Sequence, residues 1–139
     1  TDQSSTSATL GDGGVYSCLG DLAKWDEALR ANALLSKAEM APALTPVRLA
    51  DGSPPLWPKG EQGGDNLFPG RPVAYGFGWF LDPWQGRKRA WHHGETMGFR
   101  SIVERFPADG VTVVVLANRG DLDLKSLALE IAEAELGRR

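Results

Sequence analysis

Apolar residues recur at helical spacing in the first part of the chain, where four of them lie three or four positions apart: Leu19, Leu22, Trp25 and Leu29. Charged side chains occupy most of the positions between them, so the segment has one apolar face and one polar face. This pattern predicts an amphipathic helix over residues 17–31. Ser17 is the expected N-cap, because a serine oxygen can accept from the free amides at a helix start.

A second, shorter helix is indicated by the sequence Ser-Lys-Ala-Glu at residues 36–39. The serine oxygen can accept a hydrogen bond from the amide three residues later, and the glutamate can reach back to the serine amide, as in a capping box. Pro46 disfavours a helical conformation at Thr45, so the helix should end there. We therefore expect residues 13–46 to form a helical segment.

Two segments lack any periodic pattern. Residues 1–12 are mostly small and polar, which predicts a flexible lead-in. Residues 47–73 are rich in glycine and proline, which predicts a long irregular loop. A loop of this length in a compact domain is commonly functional or mobile.

The second half of the chain changes to short runs typical of strands, separated by turn residues. Four runs have this character: residues 75–81, 88–93, 100–106 and 111–117. The turn residues between them are spaced so that neighbouring strands can pair directly. We therefore predict an antiparallel sheet of about four strands within residues 74–118, and a solvated hairpin turn at the basic residues 87–89.

The run 111–117, Val-Thr-Val-Val-Val-Leu-Ala, is almost wholly apolar, and a strand of this kind is usually covered on both faces. A last helix over residues 121–137 can supply one cover, since it carries an apolar stripe: Leu124, Leu127, Ala128, Ile131 and Leu136. The elements together predict a single α+β domain, in which the sheet packs with an N-terminal helical segment and a C-terminal helix.

The composition restricts the classes of function. With 139 residues the chain has the size of one domain, and its net charge of -3 provides no basic field for nucleic acid. No run approaches the roughly 18 consecutive apolar residues that a membrane-spanning helix requires. Cys18 is the one cysteine, so an internal disulfide is excluded, and the sequence leaves the cellular compartment open.

Both histidines of the chain lie in the sequence Ala-Trp-His-His-Gly-Glu-Thr-Met-Gly-Phe-Arg-Ser of residues 90–101. In one interpretation, His92 and His93 are polar surface or hydrogen-bonded residues at a strand end. A zinc site is a weaker alternative, because consecutive strand residues point to opposite faces and Glu95 does not complete a ligand spacing. The third interpretation is a strand edge that binds an acyl group, since Gly94 lets a ligand approach the backbone closely.

A family resemblance supports the third interpretation. The sequence His-His-Gly at 92–94, followed by Gly-Phe-Arg-Ser at 98–101, resembles the third motif of the serine β-lactamase and penicillin-binding protein superfamily. It is closest to the class C-like branch, which includes esterases and often has histidine in place of the lysine of Lys-Thr-Gly. Three more segments fall in the family's order: GDGGVYSCLGDLAKW, LLSKAEM and YGFGWFL. The resemblance covers nearly all of residues 11–136 and implies the C-terminal part of a β-lactamase-like fold.

Two other motifs of the superfamily are absent from the sequence. Its nucleophile is a serine followed three residues later by a lysine, whose amine takes the hydroxyl proton. None of the eight serines has a lysine at that spacing, and neither Tyr16 nor Tyr75 begins the motif Tyr-x-Asn. We therefore expect this chain to be the C-terminal fragment of a longer enzyme, inactive alone, with the nucleophile in the missing N-terminal part.

The resemblance implies roles for four residues of the third motif. His92 takes the lysine position, where it would hydrogen-bond or polarise the hydroxyl of the missing tyrosine and orient the substrate. His93 and Gly94 would bind the substrate, and the backbone N–H of Glu95 would be one of two oxyanion-hole donors. The Glu95 carboxylate departs from the small residue common at this position, and we expect it to repel anionic substrates, which favours esters.

The resemblance also implies a small-molecule ester, amide or β-lactam as the substrate of the intact enzyme, and neither a metal nor an organic cofactor. A non-catalytic binding module that keeps the fold is the alternative, and a metal-dependent hydrolase is a remoter one. Apolar surface is expected where the missing part would dock. A strand edge deprived of its neighbour further predicts self-association.

Overall fold

The computed structural model describes residues 13–57 and 70–137. In chain order these form helix α1 (Leu19–Arg30), the short helix α2 (Lys37–Met40), a 3-10 helix (Ala41–Leu44), strands β1 (Ala90–Thr96), β2 (Phe99–Phe106) and β3 (Val111–Ala117), and helix α3 (Leu124–Leu136). The predicted α+β class is confirmed. The lead-in predicted for residues 1–12 and the part of the predicted loop at 58–69 lie outside the described residues. Within the described segments, no helix is both long and apolar enough to cross a bilayer.

The helix starts follow the local sequence, with one exception. Ser36 Oγ accepts from the Glu39 amide at 3.3 Å, and the Glu39 carboxylate accepts from the Ser36 amide at 2.9 Å, which confirms the capping box. The helical segment then ends at Thr45, as predicted. The predicted N-cap of α1 was wrong. Because the helix begins at Leu19, Cys18 takes the cap position, and the Ser17 hydroxyl donates to the carbonyl oxygen of Cys18 instead.

The sheet is antiparallel, with strand order β1-β2-β3, and has three strands where about four were predicted. Residues 75–81 do not form a strand because the chain folds back on itself there, with Gly78 at a φ of 76° and Tyr75 bridged to Phe80. Phe80 exchanges two backbone hydrogen bonds with Trp91, of 2.9 and 3.0 Å. Among the described residues, Phe80 alone therefore extends the sheet beyond β1.

One face of the sheet packs against α3. The centre of this core is fully enclosed: Ile102 and Phe106 of β2 meet Ala128 and Ala132 of α3, and each is at most 1% exposed. Alanines at these two helix positions let the helix approach the large strand side chains closely. This side supplies the predicted helical cover for the apolar strand β3.

The other face of the sheet meets α1 through polar contacts. Arg105 Nε lies 2.6 Å from Asp26 Oδ1, and the Thr112 hydroxyl donates to the same oxygen at 3.0 Å. Asp26 and Arg105 are both buried, so each charge has its partner inside the protein. The predicted cover of β3 is incomplete on this side, because Leu116 near the strand end remains 38% exposed.

The prediction of a solvated turn at residues 87–89 was wrong for Arg89, the last of the three. A tight turn does form, and Gln85 and Gly86 at its tip have left-handed backbones, with φ of 47° and 76°. Arg89, however, is buried, because its guanidinium forms ion pairs with the carboxylates of Asp82 and Glu104. The sequence run of three basic residues did not reveal that the third one points under α3.

Candidate functional site

His92 is exposed on β1, the edge strand of the sheet, where its imidazole meets a tyrosine. The His92 Nε2 atom is 3.1 Å from the hydroxyl oxygen of Tyr75. The register pairs His92 with Val103 and Gly94 with Ser101, so these four residues share one face of the sheet. This face is the one that α1 covers in part.

Gly94 and Ser101 lie directly opposite each other on β1 and β2. A Cβ atom at position 94 would be 2.9 Å from Ser101 Oγ, so the glycine makes room for that hydroxyl. The motif alone does not identify Ser101 as a polar neighbour of Gly94, because their pairing depends on the strand register.

The amides of β1 alternate in direction, and every second one points to the edge of the sheet that no described strand covers, called the open edge below. Trp91 uses both its N–H and its C=O to bond Phe80, outside the sheet. In an antiparallel ladder every second residue has the same direction, so the amides of His93 and Glu95 also point outward. The Glu95 N–H, predicted as an oxyanion-hole donor, is therefore directed away from β2 and toward the open edge.

The Glu95 carboxylate is paired with a cation. Its Oε1 atom is 2.9 Å from Nη1 of Arg100, which occupies the opposing position on β2. The same Arg100 nitrogen donates to the carbonyl oxygen of Leu122 at 3.0 Å. Both charged side chains belong to the face opposite His92. The expected repulsion of anionic substrates is therefore weakened, since the guanidinium neutralises the carboxylate.

His93 is half-buried in an aromatic cluster on the face opposite His92. Its ring is stacked on Trp91 and on Phe80, with centroid separations of 5.7 and 6.3 Å. Phe80 also stacks on the His92 ring, at 5.6 Å. The two histidines thus share one aromatic neighbour at the sheet edge, although their side chains leave the strand on opposite faces. The substrate-binding role of His93 stays a prediction.

The site offers hydrogen-bonding groups rather than an activated nucleophile. An imidazole can give or take a proton, and outward backbone amides can donate to an oxyanion. The sequence has no Ser-x-x-Lys pair to complete them. Among residues 13–57 and 70–137, no three His, Cys, Asp or Glu side chains are grouped as metal ligands.

A second polar cluster lies on the α3 face of the sheet, away from His92. Glu104 is 1% exposed, and its pKa is raised to about 7 mainly by burial, while Arg89 lowers that pKa and Asp82 raises it. Within the described part of the chain, Glu104 Oε2 has no hydrogen-bond partner. The cluster borders a cavity of about 420 Å³, with Trp57 in its wall. No sequence motif marked this cluster.

Comparisons with known proteins support the resemblance. A sequence model described as Beta-lactamase matches residues 1–136. Penicillin-binding protein 4* of Bacillus subtilis (strain 168) is 31% identical over 126 residues, which are 88% of this chain and 24% of that protein. The structure of the octameric penicillin-binding protein homologue from Pyrococcus abyssi is similar with a TM-score of 0.64 at 20% identity, and the match covers 87% of this chain and 24% of that one. The chain thus spans about a quarter of the length of the relatives it matches.

Proposed function

Because the chain belongs to the beta-lactamase family, we propose that it forms one part of the active site of a serine hydrolase that acts through an acyl-serine intermediate. The observation that carries this proposal is the position of the His92 imidazole and the outward Glu95 amide on the same open edge of β1. These are the two kinds of group that acyl transfer requires beside a nucleophile.

In this proposal the nucleophilic serine belongs to a part of the protein that these 139 residues do not include. Two observations support it. The sequence has no serine followed three residues later by lysine. The chain also spans 24% of the length of its relative from Bacillus subtilis, which leaves ample length elsewhere for the missing motifs.

The proposed reaction has two steps. The serine oxygen attacks the substrate carbonyl carbon, and the carbonyl oxygen becomes an oxyanion that accepts hydrogen bonds from the Glu95 N–H and from the amide of the nucleophile itself. The leaving group departs with a proton, and water then hydrolyses the acyl-serine to the free acid. One preorganised donor of this kind contributes about 3 to 4 kcal/mol when measured by its removal.

His92 acts beside the reacting atoms. In the class C-like branch that its motif resembles, this position hydrogen-bonds the hydroxyl of the tyrosine in Tyr-x-Asn, and we assign His92 the same task. Gly94 keeps the strand open next to it, since any larger residue would press on the Ser101 hydroxyl. His93, on the other face, lies in the aromatic wall of the edge.

The substrate class is an ester, amide or β-lactam of small size. The ion pair between Glu95 and Arg100 removes the main electrostatic argument against a substrate that carries a carboxylate. The charge at this edge therefore does not favour esters over β-lactams. These substrate classes share the carbonyl group that the serine attacks.

We propose that the remainder of the same domain covers the apolar side chains left in solvent. Among the described residues, nine large apolar side chains are between 48% and 85% exposed, and they include Val15, Tyr16, Phe77, Met97 and Phe99. Apolar surface of this extent usually marks an interface.

Active-site labelling tests the proposal. A fluorophosphonate probe is added to two samples: this 139-residue chain alone, and a longer protein that contains it. Mass spectrometry then identifies the modified peptide. We expect one labelled serine outside this chain. We also expect the chain alone to remain unlabelled and to hydrolyse p-nitrophenyl acetate no faster than a heat-denatured control. Stoichiometric labelling of one of the eight serines here would overturn the position of the nucleophile, and an unlabelled longer protein would support a non-catalytic module.

A further inference from the structure

The contact between Tyr75 and His92 extends the proposed site to a residue that no motif assigned. The hydroxyl oxygen of Tyr75 and Nε2 of His92 are 3.1 Å apart, which is hydrogen-bonding distance. Within the described part of the chain, neither side chain has another hydrogen-bonding partner. Each therefore satisfies the other, and Nδ1 of His92 is left for groups outside the described residues.

Several contacts hold Tyr75 in place. Its ring meets the edge of Phe80 at a centroid separation of 4.8 Å and an interplanar angle of 72°. Its carbonyl oxygen accepts from the Val47 amide at 2.8 Å. The next residue, Gly76, is packed so tightly that an added Cβ would clash with the carbonyl oxygen of Ala43. The tyrosine is therefore supported by the ring cluster on one side and by the helical segment on the other.

The direction of this hydrogen bond depends on the tautomer of His92. The phenol O–H is a more acidic donor than an imidazole N–H, and the imidazole nitrogen is a more basic acceptor than the phenol oxygen, which favours donation from Tyr75. Burial raises the pKa of Tyr75 above its ordinary value, so the hydroxyl keeps its proton at neutral pH. A neutral imidazole has one nitrogen that donates and one that accepts, and the partner of one nitrogen sets the state of the other. If the Tyr75 hydroxyl donates to Nε2, the ring proton resides on Nδ1.

We propose that Tyr75 is a positioning residue for His92. The Tyr75 hydroxyl donates to Nε2 of His92 and thereby fixes the orientation and the tautomer of the imidazole. The Nδ1–H of His92 then faces the substrate or its reacting partners. The assignment of the tautomer rests on the contact between Tyr75 and His92 within this chain. The catalytic consequence rests on the proposed hydrolase function.

Nuclear magnetic resonance of the chain, with its histidines labelled with nitrogen-15, tests the tautomer directly. The chain has two histidines and two tyrosines, so Tyr75→Phe has a natural control in Tyr16→Phe, at a tyrosine that is 81% exposed. At a pH where the ring is neutral, we expect His92 to carry its proton on Nδ1. Tyr75→Phe should lower the ratio of the Nδ1–H to the Nε2–H form by about fivefold, the effect of losing one hydrogen bond, while Tyr16→Phe leaves it unchanged.

Two results would overturn the proposal: an Nε2–H tautomer in the wild-type chain, or an unchanged ratio in a folded Tyr75→Phe variant. The wild-type spectrum needs no variant, so the test holds even if Tyr75→Phe does not fold. In a longer, active protein, Tyr75→Phe should lower kcat by about tenfold and leave KM within about twofold, because a positioning residue makes no contact with the substrate. If the Nδ1–H signal depends on Tyr75 but the longer protein has no hydrolase activity, the positioning role of Tyr75 is supported and the proposed hydrolase function is refuted.

Discussion

Arg89 and Glu104 form an ion pair beneath α3, with Nη1 of the arginine 3.4 Å from Oε1 of the glutamate. The arginine side chain is 8% exposed and the glutamate side chain 1%. The second glutamate oxygen, Oε2, lacks a hydrogen-bond partner among residues 13–57 and 70–137. A buried carboxylate with one unsatisfied oxygen costs stability when it is charged.

This ion pair predicts an unusual dependence of stability on pH. The Glu104 pKa rises from 4.5 to about 7 on folding, so between these values the folded protein binds a proton that the unfolded chain has released. The free energy of unfolding should therefore fall as pH rises from 4.5 to 7, by up to about 3 kcal/mol from this group. Glu104→Gln should remove that decline.

Urea unfolding at several pH values between 4 and 8 measures the effect. Glu39→Gln is a control of opposite sign, because hydrogen bonds from Ser36 lower the pKa of Glu39. The stability that Glu39 contributes is present above pH 4.5 and is lost as pH falls. Equal pH dependence in the wild type and in Glu104→Gln would show that Glu104 binds no more protons in the folded protein than in the unfolded chain.

Gly76 predicts a large steric effect at a single position. Its added Cβ would meet a backbone atom, the Ala43 carbonyl oxygen, which cannot rotate away. We expect Gly76→Ala to destabilise the fold by about 1 to 3 kcal/mol or more, as overpacking does. Gly20→Ala, inside α1, is the matched control. Its Cβ would have an ordinary contact of 3.9 Å, and alanine there should stabilise the helix by about 0.5 to 1 kcal/mol. Equal changes in the urea midpoint would contradict this packing.

The helices and the third-motif edge were accessible from sequence because their signals are local. The capping box, the α3 stripe and the His-His-Gly segment each lie within a few residues, and short-range physics decides them. The number of strands was not accessible, since Gly78 at positive φ turns a strand-like run back on itself.

Contacts that depend on strand register and on long-range packing could not be predicted from the sequence either. Tyr75 and His92 are 17 positions apart, and Glu104 and Arg89 are 15 apart. Nothing in the composition of either segment marks these pairs. The buried position of Arg89 has the same origin, because its two partners are distant in sequence: Asp82 precedes the turn, and Glu104 lies on β2.

The exposed apolar surface predicts association of the isolated chain. Phe99 is 48% exposed and Leu116 38% exposed on the face that carries His92, and the β1 edge beside them has outward amides. Such edges pair with other chains. We expect sedimentation equilibrium at micromolar concentration to show dimers or larger species, and Leu116→Lys to shift them toward monomer. A wild-type monomer that binds no hydrophobic dye would show that these residues close their own core.

His92 provides the sharpest test of the proposed hydrolase. In a longer protein that contains these residues, kcat is measured for the wild type, for His92→Ala and for Lys88→Ala, a control at an exposed residue just before β1. We expect His92→Ala to lower kcat by about 10² or more and to change the free energy of unfolding by less than about 1 kcal/mol, because the side chain is exposed. Lys88→Ala should match the wild type. A folded His92→Ala variant with wild-type kcat would contradict the proposal and return His92 to an ordinary surface residue.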